Sequence, residues 1–172
     1  MAIIEVLMDI KPLSLNHKKS IRKLRLKKYR DSEGLFLAEG MNACREVLRG
    51  NRYPLREIIL SEDCLKRDKA TLLRELSSRP VAVYSCDRST IEGISSEENS
   101  QGILLVCAAT SFTLEDIVDS PPARMVYLEG VSDPGNLGTI LRTALWFGVE
   151  HVILGPSCVD PFNTKVIRAT AG

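Results

Sequence analysis

Apolar and polar positions alternate in blocks along the first two thirds of the chain. The runs "LFLA" at 35–38, "EIIL" at 57–60, "VAVY" at 81–84 and "GILLVCAA" at 102–109 read as strands. Between them "GMNACREVLRG", "DCLKRDKATLLRELSSR" and "DRSTIEGIS" place their apolar residues at helical spacing. The pattern predicts βαβαβαβ, with Gly50 and Pro80 stopping the first two helices. Such alternation favours a parallel or mixed sheet covered on both faces, so residues 30–108 form one small α/β domain. In "FLAEGM", Glu39 and Gly40 end the first strand at a sharp structural turn.

From Ala109 the pattern changes. "ATSFTLEDIVDSPPAR" holds a short helix capped by Thr113, then Pro121 and Pro122 restrict the backbone, so residues 109–123 are expected to be a linker. Next come "RMVYLEGV", a continuous apolar strand of the buried parallel kind, and a turn over Asp133, Pro134, Gly135 and Asn136, with Asn136 expected to cap a helix. Leu137, Ile140, Leu141, Ala144 and Leu145 share the face expected to meet the sheet; Thr139, Arg142, Thr143 and Trp146 share the opposite one. Gly148 closes the helix, "EHVILG" is a second strand, and Asn163 caps a last helix, "TKVIRATAG". The order after the linker is βαβα.

Composition narrows the class. The chain has 172 residues, 44% hydrophobic and 26% charged, which suits a soluble globular protein of one or two domains. No run of about 18 apolar residues suggests a membrane span, and "MAIIEVLMDIKP" lacks the features of a secretory signal, so the cytoplasm is expected. Five cysteines, far apart and never in a C-x-x-C pair, suggest neither a disulfide framework nor a zinc site. His17 and His151 are poorly placed for histidine-centred catalysis.

Net charge is only +1, but its distribution is uneven. Lys18, Lys19, Arg22, Lys23, Arg25, Lys27, Lys28 and Arg30 crowd the stretch "KKSIRKLRLKKYR". A helix capped by Asn16, with Ile21, Leu24 and Tyr29 as its apolar stripe, would present these cations to a phosphate backbone. A solvated, lysine-rich surface helix is the alternative. Residues 1–29 are set apart as this basic segment.

Gly135 and Gly138 form "GNLG", which matches neither the dinucleotide fingerprint nor the phosphate loop. The combination around them is more specific. "DPGNLGTILRTALWFG" and "VDPFNTKVIRATAG" resemble the first motif and the following segment of the SpoU family of RNA 2′-O-ribose methyltransferases, within the SPOUT superfamily. Upstream, "SLNHKKSIRKLRLKKYRDSEGLFLAEG" and "NSQGILLV" resemble the N-terminal substrate-binding domain of that family, so the likeness covers nearly the whole chain.

The resemblance implies an α/β chain: a ribosomal-protein-like RNA-binding domain over 30–108, then a partial SPOUT domain over 124–172, Rossmann-like and knotted when complete. It implies S-adenosylmethionine as cofactor, bound beyond Gly172, and a fragment inactive alone. It also implies RNA, ribosomal before transfer RNA, as substrate, and a homodimer as the full-length state. It gives Asn136 and Arg142 catalytic or substrate-positioning roles; Asn163 and Arg168 are more simply a cap and a helix charge. A non-catalytic RNA-binding relative and an unrelated α/β nucleotide-binding enzyme are the competing readings.

Overall fold

The computed structural model describes residues 10–50, 52–67, 81–97, 99–110, 114–119 and 122–170. The distal part of the second expected helix with its stop at Pro80, the Thr113 cap, Pro121 and Gly172 lie outside the described residues. No described helix is long and apolar enough to cross a membrane.

The first unit is a mixed five-stranded sheet. Its strands are β1 (Lys11–Pro12), β2 (Leu35–Glu39), β3 (Leu55–Ser61), β4 (Ala82–Cys86) and β5 (Ile103–Ala108), in the order β1-β4-β3-β5-β2. β4 runs parallel to β1 and β3, whereas β5 runs antiparallel to β3 and β2. The two-residue edge strand β1 is too short for any periodicity to predict it.

Period-2 alternation divides the sheet residues between two cores. Phe36, Ala38, Ile58, Leu60, Ile103, Leu105 and Cys107 face one side, where Ala43, Cys44, Val47 and Leu48 of the helix Met41–Gly50 cover them. Leu37, Ile59, Leu104 and Val106 face the other, under Ile91 and Ile94 of the helix Arg88–Ile94. Fully burying one such side chain contributes about 1.5–3 kcal/mol.

Ile21 and Leu24 also fill this second core, so the basic segment packs on the sheet rather than standing apart from it. It is two helices, α1 (Leu15–Lys23) and α2 (Lys27–Glu33), not one. Ser14, not Asn16, caps α1, its Oγ accepting from the His17 N–H. The break at 24–26 follows from burying Leu24: the chain tightens there, with Leu24, Arg25 and Leu26 N–H groups bonding three residues back.

The second unit pairs β6 (Met125–Leu128) with β7 (His151–Leu154) in parallel, joined by the helix α3 (Pro134–Trp146). The helix α4 (Thr164–Thr170) follows. β6 is parallel as expected but not buried: Met125 and Tyr127 are exposed. Two strands cannot cover both faces of a sheet. Leu145 is likewise exposed, not turned to the sheet.

Candidate functional site

α3 begins where Asp133 turns the chain out of the β6 loop. Its carboxylate accepts from the Asn136 N–H at 2.7 Å and Pro134 takes the first helical position. Asp133 is therefore the cap and Asn136 sits inside the first turn. Its amide side chain is exposed and carries no capping duty.

Arg142 is exposed and makes no hydrogen bond or ion pair among the described residues. Six residues separate it from Asn136, which on an α-helix is about 9 Å along the axis and about 120° around it. The two side chains thus do not share one face of the helix. Thr139, Thr143 and Trp146 are exposed beside Arg142, as the spacing predicts. Leu145, Trp146 and Phe147 leave a continuous apolar surface at the end of the helix, 73%, 85% and 69% exposed.

The carboxyl ends of β6 and β7 lie against the start of α3, the place where open α/β sheets bind ligands. Two loops are tied together there: Gly130 N–H donates to the Pro156 carbonyl at 3.2 Å, Gly155 N–H to Leu128 at 2.7 Å, and Val159 N–H to Val131 at 2.9 Å. Gly130 and Ser157 have φ of 70° and 62°, a conformation that costs Ser157 strain and glycine none.

The segment after β7 turns away from this end and packs on the first unit. Asn163 caps α4 as expected, accepting from the Lys165 N–H. Asp160 bonds Arg30, which removes Arg30 from the phosphate-facing set. Its Nε donates to Asp160 at 2.8 Å, Nη2 bonds the same oxygen, and Nη1 donates to the carbonyls of Leu24 and Arg25. With only 5% exposure and four of its five N–H donors bonded within the protein, Arg30 is withdrawn from the surface on which the other cations stand. The other cations differ: Lys19, Arg22, Lys23, Arg25, Lys27 and Lys28 are exposed and Lys18 is half-buried. Lys23 and Lys28 lie over the Tyr29 ring, and Lys27 pairs with Asp31.

Arg168 is not a free helix charge either. It donates to Ser96 Oγ at 3.1 Å and lies 3.6 Å from Glu39 and 3.5 Å from Glu97. Glu39 is buried and accepts from Ser95 Oγ, Ser96 N–H and Ser96 Oγ. Since Ser96 gives its one proton to Glu39, Thr164 Oγ1, 2.8 Å away, is the donor to Ser96. Desolvation, partly offset by Arg168, raises the Glu97 pKa. Sequence reading missed Asp160, Phe162, Ser96 and Glu97 and took Glu39 for a plain turn; a strand-ending carboxylate among apolar residues was the available signal.

The cysteines carry no chemistry here. Cys44, Cys64, Cys86 and Cys107 are buried. Burial pushes the Cys44 thiol well up and, with Asp87 beside it, the Cys86 thiol to about 11.

Two family models match the chain, and the first takes in most of the basic segment. Residues 16–105 match the MRM3-like substrate binding domain and residues 123–172 match the SpoU rRNA Methylase family. An uncharacterized tRNA/rRNA methyltransferase of Synechocystis is 32% identical over 161 residues, covering 90% of this chain and 55% of the relative. The 23S rRNA (guanosine(2553)-2′-O)-methyltransferase RlmP of Bacillus subtilis is 29% identical, covering 90% and 57%. An AdoMet-bound rRNA methyltransferase from Sinorhizobium meliloti superposes with a TM-score of 0.75 at 28% identity, over 95% of this chain and 60% of that one. The chain thus spans little more than half the length of the curated relatives it matches.

Proposed function

Because this chain belongs to the SpoU family of RNA methylases, with an MRM3-like substrate-binding domain ahead of its SpoU segment, we propose that the protein carrying it methylates a ribose 2′-hydroxyl of ribosomal RNA. The single observation that carries the chemistry is Arg142: a cation with no partner among the described residues, on the helix that follows β6. S-adenosylmethionine supplies an electrophilic methyl group on a sulfonium. The residues described here fit the ribose side of that reaction and not the cofactor side, since the Gly130, Gly155 and Val159 N–H groups at the strand ends are already bonded within the protein. Cofactor contacts fall to other residues.

A guanidinium is effectively never deprotonated, so Arg142 does not serve as the base. As a fixed cation it orients the ribose or its phosphate and stabilises the charge that develops at the 2′-oxygen while the hydroxyl proton passes to water, the O–C bond forms and the S–C bond breaks, releasing the neutral thioether. Asn136, with a donor and an acceptor on one amide, positions the same sugar from the preceding turns. Transfer of tritiated methyl groups from S-adenosylmethionine to an unmodified 23S rRNA transcript tests the activity; label that remains after the 2′-hydroxyls are chemically blocked would place the methyl elsewhere.

The basic helices are the proposed RNA platform. Lys19, Arg22 and Arg25 are exposed with no partner among the described residues, and each phosphate a cation neutralises adds about 0.7–0.9 to the slope of log affinity against log salt. Changing all three to alanine is expected to lower that slope by about 2. An unchanged slope in a filter-binding titration removes these residues from the interface.

A homodimer, formed through the surface of Leu145, Trp146 and Phe147, belongs to the same proposal. Bare aromatic surface of this size is costly on a monomer. Sedimentation of the full-length protein should show Trp146→Ala shifted toward monomer, and equal dimer affinity would assign this surface to another partner.

A further inference from the structure

The segment from Asp160 to Arg168 touches both units at once. Its first end is held by Arg30, whose Nη1 also bonds the carbonyls of Leu24 and Arg25, at the break between the two basic helices. Both partners are nearly fully buried, 5% and 10% exposed. The other end is held by Arg168 on Ser96, beside Glu39 and Glu97. Between them Phe162 packs on Phe36 and Tyr53, with ring centres 4.8 and 6.1 Å apart, and Ile167 enters the core of the first sheet.

The reverse side of α4 meets the helix of Arg142. A Cβ built on Gly138 would lie 2.3 Å from the Ala169 Cβ and 3.0 Å from its carbonyl carbon, so only glycine admits this approach. A continuous chain of packed groups therefore runs from the basic turn at 24–26, through Arg30, Asp160 and α4, to α3. Anchoring at both ends, nine residues span, removes the rotation that a single tether would leave.

We propose that the segment from Asp160 to Arg168 is a rigid bracket that fixes the distance between the RNA-holding helices and Arg142, and so selects which ribose is methylated. Arg30, Asp160 and Arg168 are positioning residues; none touches the reacting atoms. The bracket rests on the methyltransferase reading above. Phosphate contacts set how RNA lies on the protein but read no sequence. A fixed separation between phosphate contacts and the reacting group converts shape into site choice, and displacement of the reacting groups by about 1 Å can cost 100-fold in rate.

The test uses the full-length protein with Ser96→Cys and Thr164→Cys, whose native hydroxyls are 2.8 Å apart across the two units. Mild oxidation should close a disulfide, identified by peptide mapping. The oxidised protein should methylate an unmodified 23S rRNA transcript at the same nucleotide as the reduced one, with turnover within about twofold. Absence of the crosslink, or a turnover loss of about tenfold or more that a reductant reverses, would overturn the bracket, because the units would then have to separate during the reaction. Asp160→Asn supplies a second reading: RNA and S-adenosylmethionine affinities within about twofold, and kcat about tenfold lower or label spread over neighbouring riboses. Unchanged kcat at a single site would equally overturn it. Failure of the functional reading looks different: a wild-type protein that transfers no methyl would remove the activity, while crosslink yield would still judge the docked geometry.

Discussion

Arg142→Ala is expected to lower methyl transfer by the full-length protein roughly 100- to 1,000-fold, the loss typical of removing one group that stabilises a developing oxyanion. Affinity for S-adenosylmethionine should change by less than about twofold, since a group acting on the ribose contributes to the transition state and not to cofactor binding. Arg142→Lys keeps the charge but loses the planar fork, so it should fall between the two. Single-turnover kinetics at saturating cofactor separate these outcomes. A fully active Arg142→Ala protein would mean that the exposed cation of α3 only solvates the helix.

Gly138→Ala is expected to destabilise the second unit although alanine is the better helix former. The propensity gain is at most about 1 kcal/mol. Against it stand a Cβ placed 2.3 Å from the Ala169 Cβ and 3.1 Å from its Cα, atoms that no rotamer change can move. Overpacking of this kind costs about 1–3 kcal/mol, so the net effect is loss, read as a melting temperature lower by several degrees. Ala169→Gly in the same chain should restore most of it. If Gly138→Ala melts with the wild type, α3 and α4 do not touch as described, and the path from α4 to Arg142 is broken with it.

Strands β2 to β5 and the helices Met41–Gly50 and Arg88–Ile94 were legible because each is long enough to show its period. Leu35, Ile58, Val83 and Ile103 all lie in the runs from which strands were predicted, and the observed elements agree with them. Sheet order was not legible, because pairing depends on contacts between residues far apart, such as Phe36 with Cys107. Two caps were read too late, by two and three residues: Asn16 and Asn136 are good caps by type, yet Ser14 and Asp133 stand where the backbone is extended and accept the N–H bonds.

Arg30 shows the limit most clearly. In sequence it is one cation among eight; in the structure four of its five donors go to a carboxylate 130 positions away and to two carbonyls nearby. Charge runs show where cations are dense, not which one is buried. Leu145 failed for the opposite reason. Its helical stripe extends beyond what a pair of strands can cover, so the periodicity is real and the burial is not.

The free thiols give the fold an internal clock. Thiolates, not thiols, attack disulfide reagents, so Cys44, Cys64, Cys86 and Cys107, buried across both cores of the first sheet, should react only when that sheet opens. Cys158, half-buried and donating to the Leu128 carbonyl at 3.3 Å, belongs to the second unit and is the more accessible of the five. Labelling by a disulfide reagent should therefore resolve into one fast and four slow events. The fast event reports the loops at the strand ends, and the slow ones time the opening of the first unit in a single sample without any introduced probe.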